Sequence, residues 1–181
     1  NRKILVSLSL LTALLSGAPD LPAASTKRPD APLLKGLGNL THPITTSSPL
    51  AQRYFDQGLL LAYNFNHAEA ARSFTAAAEL DPDCAMAFWG VAYACGIHVN
   101  NTQMTEAKSR AGYEAAQEAL RRIEDASPVE AALVRAVATR HAWPVPADRK
   151  PLDQAYAAAM EAAWREHPHD PDVGALYAES L

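Results

Sequence analysis

The chain has 181 residues, a charged fraction of 20%, a net charge of -4 and an apolar fraction of 49%, which is the composition of a globular domain with some added segments. A pI near 5.8 and dispersed Lys and Arg residues leave no basic patch for a nucleic-acid backbone. With Cys84 and Cys95 as the only cysteines, there is no disulfide framework of the kind that holds small secreted domains.

Arg2 and Lys3 precede an apolar run from Ile4 to Leu15, and small residues follow at Ala23, Ala24 and Ser25. That order predicts a secretory signal peptide over 1–25. The run is too short for a spanning helix, which needs about 20 apolar residues. Residues 26–48 are rich in Pro, Gly, Ser and Thr and follow neither helical nor strand periodicity, so an extended linker or arm is expected there. Its Gly36-Leu-Gly38 lacks the third glycine and the strand-to-helix setting of a dinucleotide loop.

From residue 49 onward the pattern is helical. Ser48-Pro49, Asp81-Pro82, Ser127-Pro128 and Asp170-Pro171 each pair a capping side chain with a proline, whose missing N–H costs nothing in a first turn. Glu130 completes a capping box with Ser127, and Asn66 followed by Glu69 marks one more start. Helices are predicted over roughly 49–64, 67–80, 82–96, 104–125, 128–140, 152–166 and from 171. The fold class is all-α. If the two cysteines share one helix, they lie about 16 Å apart along its axis, too far for a bridge that tolerates about 7 Å. They are expected as buried thiols.

Pro49 and Pro82 stand 33 residues apart, close to the period of about 34 in a tetratricopeptide repeat. Within that span Tyr54 falls at the Trp position, Gly58 at the glycine, Ala70 and Phe74 at the Ala-x-x-x-Phe step, and Pro82 at the closing proline. Gln57 departs from the expected leucine and Leu61 from the expected tyrosine. Residues 49–96 thus resemble the tetratricopeptide repeat family, and the phrases around them are similar to a group of secreted bacterial proteins of that family with no assigned role. Downstream the step is weaker, at Ala116 and Leu120 and then at Ala159 and Ala163, with insertions at 97–104 and 141–151. The resemblance implies a tetratricopeptide-like α-solenoid of antiparallel helical hairpins over 49–181. Phe74 is expected between the first and third helices. The chain begins without Met and ends on Ala-Leu-Tyr-Ala-Glu-Ser-Leu with no helix stop, so both ends read as clipped. One face of the last helix, with Leu176 and Tyr177, is therefore expected to be exposed.

A nucleophile elbow, a His-Glu-x-x-His pair, a Cys-x-x-Cys pair and a Walker loop are all missing from the sequence, so an enzyme is not expected. In the family that the chain resembles, the first helix of each hairpin lines a concave groove. The matching positions are Gln52, Phe55, Leu59 and Tyr63, then Met86, Trp89, Tyr93 and Ile97. An aromatic groove of this kind takes an extended peptide or a helix. The expectation is an exported, periplasmic or secreted scaffold with a protein or peptide partner, no cofactor and no nucleic acid. Packing of Phe55 and Trp89 inside the array is the competing reading. His67, His98 and His141 lie near the turns of successive hairpins, so a transition-metal site at one edge is a rival function. Self-assembly into an envelope structure is the other.

Overall fold

The computed structural model describes residues 29–100 and 102–181. The expected signal peptide over 1–25 lies outside the described residues, and so does the beginning of the linker. The described residues form α1 (Pro49–Tyr63), α2 (His67–Leu80), α3 (Ala85–Ala94), α4 (Glu106–Arg121), α5 (Pro128–Thr139), α6 (Lys150–Glu166) and α7 (Pro171–Glu179). A short 3-10 turn at Ile123–Asp125 follows α4, and no strand occurs among the described residues. None of these helices is long and apolar enough to cross a membrane.

Three of the four Ser-Pro or Asp-Pro signals work as helix starts. Ser48 Oγ accepts from the Ala51 N–H (3.2 Å), Asp170 Oδ1 accepts from the N–H groups of Asp172 and Val173, and Ser127 with Glu130 forms both halves of a capping box. Asp81-Pro82 does not begin a helix. Asp81 closes α2, and α3 starts later, at Ala85, after Cys84. The Asp81 carboxylate is engaged instead by Ser47 N–H (2.9 Å), Thr46 Oγ1–H (2.5 Å) and Asp83 N–H (3.3 Å). The α1–α2 turn carries a second surprise. Phe65 sits at φ 60 in a Schellman ending, with its N–H on Ala62 O and the Asn66 N–H on Leu61 O.

Helices pack as α1 with α2, α3 with α4 and α5 with α6. Each second helix also lies on the first helix of the next pair, α2 on α3, α4 on α5 and α6 on α7, and α1, α3 and α5 touch in that order. Phe74 is the pivot of this packing, fully buried as expected. A Cβ placed on Gly58 of α1 would come within 2.7 Å of the Phe74 ring, and one on Gly90 of α3 within 2.2 Å. The glycines let two helices close on either side of one aromatic ring.

The α7 expectation requires correction. Val173 and Leu176 are buried, and the half-buried Tyr177 stacks on Trp164 at 5.7 Å. At its start Asp172 reaches Tyr63 and His42, and at its end Glu179 reaches Arg140, so α7 is tied at both ends to earlier parts of the chain.

Candidate functional site: a docked N-terminal arm

The aromatic positions predicted to line a groove do come together. Trp89 and Tyr93 stack almost parallel (5.2 Å, 4°), and Phe55 lies across from Trp89 at 6.2 Å. They are not, however, a free surface. Phe55, Leu59, Met86, Trp89 and Tyr93 are buried, with Trp89 only 2% exposed, and Tyr63 alone among the six is half-buried. Packing inside the array, the competing reading, describes them. Of the two outer positions, Gln52 and Ile97 are half-buried.

Residues 29–48 contribute to this burial. This segment is an extended arm that runs without helix or strand over α1 and on to α5, and it is held mainly through its backbone. Gln57 Nε2 donates to Pro32 O (3.0 Å) while its Oε1 accepts from Leu34 N–H (2.7 Å). Gln52 repeats the grip ten residues along, donating to His42 O (2.8 Å) and accepting from Ile44 N–H (3.0 Å). Each glutamine thus takes the carbonyl of one residue and the amide of the residue two further on. Those two groups face the same side only when the backbone between them is extended. Both side-chain amides are fully engaged in the orientation that this pairing assigns to O and N.

Other side chains continue the hold. The Tyr54 hydroxyl donates to Ala31 O (2.8 Å), Asp56 Oδ1 accepts from His42 N–H (3.0 Å), and Glu130 accepts from both the N–H and the hydroxyl of Thr45. The arm turns within itself at Gly36 (φ 81) and Gly38 (φ 96), where a side chain would be strained. Gly36-Leu-Gly38 therefore serves a bend, in accord with its failure as a phosphate loop.

His42 links the arm to the end of the chain. Its ring lies 6.0 Å from Phe55, and Nδ1 hydrogen-bonds Asp172 Oδ2 at 2.7 Å, while the Tyr63 hydroxyl donates to Asp172 Oδ1 at 2.7 Å. The hydrogen bond to Asp172 raises the His42 pKa above its ordinary value, against the opposing effect of burial. The same bond holds the Asp172 carboxyl below its usual range. Asp56 is pushed up by burial.

His42, Asp170 and Asp172 offer three ligand atoms within 4.8 Å of one another. Every one of these side chains already has work in the fold, because Asp170 caps α7 and His42 and Asp172 bind each other. The histidines expected at an edge divide differently. His67 and His98 stack at 3.9 Å, whereas His141 is buried and hydrogen-bonds Ala92 O at 3.0 Å. The three are not among the groups that present three ligand atoms to one point among the described residues. Burial lowers His67 and His141 to about 4, so both rings are neutral near pH 7. Cys84 and Cys95 are free and buried, as expected, and burial pushes the Cys84 thiol up to about 11, which leaves it protonated and a poor nucleophile.

A cleft of about 590 Å3 lies away from the arm, between α2, α3 and α4, lined by Phe88, Val91, Tyr113 and Arg121 among others. It includes none of the expected groove residues. Comparison with protein-family models, curated proteins and solved structures returns no match.

Signals for the arm were present in the sequence, though not decisive. Gln57 stands out as a polar residue where the repeat pattern expects leucine, and Gln52 and Gln57 are five residues apart on α1. What they bind lies up to 25 residues away, which no local pattern reports.

Proposed function

We propose that this chain is an exported tetratricopeptide-like α-solenoid module that binds extended polypeptide, and that its binding face holds residues 31–47 of its own chain. The observation that carries the reading is the paired glutamine grip, in which Gln52 and Gln57 each hold a carbonyl and the amide two residues on. Main-chain recognition of this kind accepts many sequences, because every residue except proline offers both groups. The order of helix contacts, with α1, α3 and α5 adjacent and each hairpin leaning on the next, supports the solenoid arrangement.

On this reading the arm is an intramolecular occupant, and a partner segment binds by taking its place. Tethering gives the arm a high effective concentration, so a free peptide competes poorly while the arm is intact. The test keeps the whole chain and loosens only the arm, with Ala31→Asp, His42→Ala and Ile44→Asp. A fluorescent peptide with the sequence of residues 29–48 then binds the loosened chain saturably and the unaltered chain at least tenfold more weakly. If amide exchange shows the arm released and the peptide still does not bind, the face does not hold extended polypeptide.

A further inference from the structure

Among the described residues, buried side-chain polar atoms without a hydrogen-bond partner fall on His67, His98, Arg140, Arg149 and Tyr156. These residues form one neighbourhood. His67 stacks on His98, Arg149 donates to Arg140 O, and the Arg140 guanidinium lies over the Tyr156 ring at 4.5 Å. Arg140, Tyr156 and His98 line one cavity of about 300 Å3, together with Ile97, Asp153 and Glu179. Unpaired buried polar groups are rare in folded proteins, and each calls for a partner.

From this geometry we infer that the cavity between the α3–α4 connection, α5, α6 and the end of α7 is a binding site for a small zwitterion, a free α-amino acid. Arg140 is only 4% exposed, and its Nη2 is used by Ile97 O and by Glu179 Oε1 (3.2 Å). Its Nη1 is left without a partner. Tyr156 is 2% exposed, and its hydroxyl likewise has none. A carboxylate, planar with two acceptor oxygens, satisfies a guanidinium N–H and a phenol O–H together, and a guanidinium is the side chain best shaped for it. Stacking on Tyr156 holds the guanidinium in plane, so little freedom is lost when the ligand arrives.

The remaining lining sets the charge of the ligand. Asp153 and Glu179 line the cavity too, Asp153 paired with Arg149 Nη2 at 3.1 Å and Glu179 with Arg140 Nη2 at 3.2 Å, so two guanidinium groups and two carboxylates balance there. With those four charges in balance the cavity has no net positive charge to hold a phosphate dianion, and a ligand carrying one charge of each sign matches it. The cavity is at the small end of the range of about 300–1,000 Å3 for ligand pockets, in keeping with a single amino acid.

The experiment is isothermal titration of the purified chain with each of the common L-amino acids, with propionate and with inorganic phosphate. At least one amino acid is expected to bind saturably, propionate about tenfold or more weakly, and phosphate not at all. Tyr156→Phe removes a hydroxyl that lies against the Arg140 side chain without a well-formed hydrogen bond. It is expected to leave the melting temperature unchanged while weakening that amino acid about tenfold, the loss of one hydrogen bond to a charged group. Arg140→Lys, which loses the fork, is expected to abolish binding. The inference is overturned if no amino acid binds, if phosphate binds more tightly than every amino acid, or if Tyr156→Phe binds with unchanged affinity.

Discussion

Phe74 occupies the space that two absent side chains leave. Its ring is fully buried, and a methyl group on Gly90 would stand 2.2 Å from it. Phe74→Ala is expected to cost about 3–5 kcal/mol through the cavity it leaves, and Gly90→Ala about 1–3 kcal/mol through overpacking. Combined with Gly90→Ala, Phe74→Leu should recover part of the loss, and chemical denaturation measures all three. Trp89→Ala belongs with Phe74→Ala, because a core residue at 2% exposure loses stability on truncation before it can affect any partner.

Titrating side chains give the second residue-scale prediction. The His42 pKa is raised above 6.5, so its stabilising pair with Asp172 is fully present below pH 6.5 and is lost as the pH rises through the folded value. His141 behaves oppositely. With its pKa lowered to about 4, the folded state refuses a proton that the unfolded chain accepts, and stability falls as the pH drops from 6.5 toward 4, by roughly 3 kcal/mol. His67, lowered for the same reason, adds to that acid loss. Maximum stability is therefore expected near pH 6.5. His141→Gln, which keeps an N–H for Ala92, should flatten the acid limb and His42→Asn the alkaline limb in melting curves taken across pH. An unchanged acid limb in His141→Gln would contradict the assignment.

At the scale of elements, the helices were legible because their signals are local. Ser48, Ser127 and Asp170 bind amides two or three residues away, and a pattern of neighbours suffices to find them. Asp81 carries the same dipeptide and misleads, because its carboxylate is taken by Thr46 and Ser47, more than thirty residues earlier. The aromatic row divides the same way. Helical spacing places Tyr93 one turn from Trp89, but whether that face meets solvent depends on the arm and α7, which only tertiary structure supplies. Glu130 joins the two kinds of signal, since its carboxylate closes the α5 cap on Ser127 N–H (2.7 Å) and also receives Thr45 from the arm. Glu130→Ala should thus cost more than an ordinary cap, whose loss is about 1 kcal/mol, and we expect about 2 kcal/mol because the hydrogen bonds to exposed Thr45 and half-buried Ser127 are lost together. A loss of 1 kcal/mol or less would mean that the arm contributes nothing at this point.

The described residues form a helical array closed over by the arm of residues 29–48, with His42 and Asp172 joining that arm to α7. An extended segment with no helix or strand of its own normally exchanges its amides quickly, since nothing but water competes for them. Here Leu34, His42, Ile44, Thr45 and Ser47 give their N–H groups to Gln57, Asp56, Gln52, Glu130 and Asp81. Residue-resolved hydrogen exchange on the intact chain tests this most directly. The account predicts that these five amides exchange at least a hundredfold more slowly than unstructured chain, protected by about 3 kcal/mol, and that Gln52→Ala with Gln57→Leu releases Leu34 and Ile44 first while the helices stay protected. Exchange of all five at the rate of unstructured chain in the unaltered protein would contradict a docked arm, and with it the proposal that this face holds extended polypeptide.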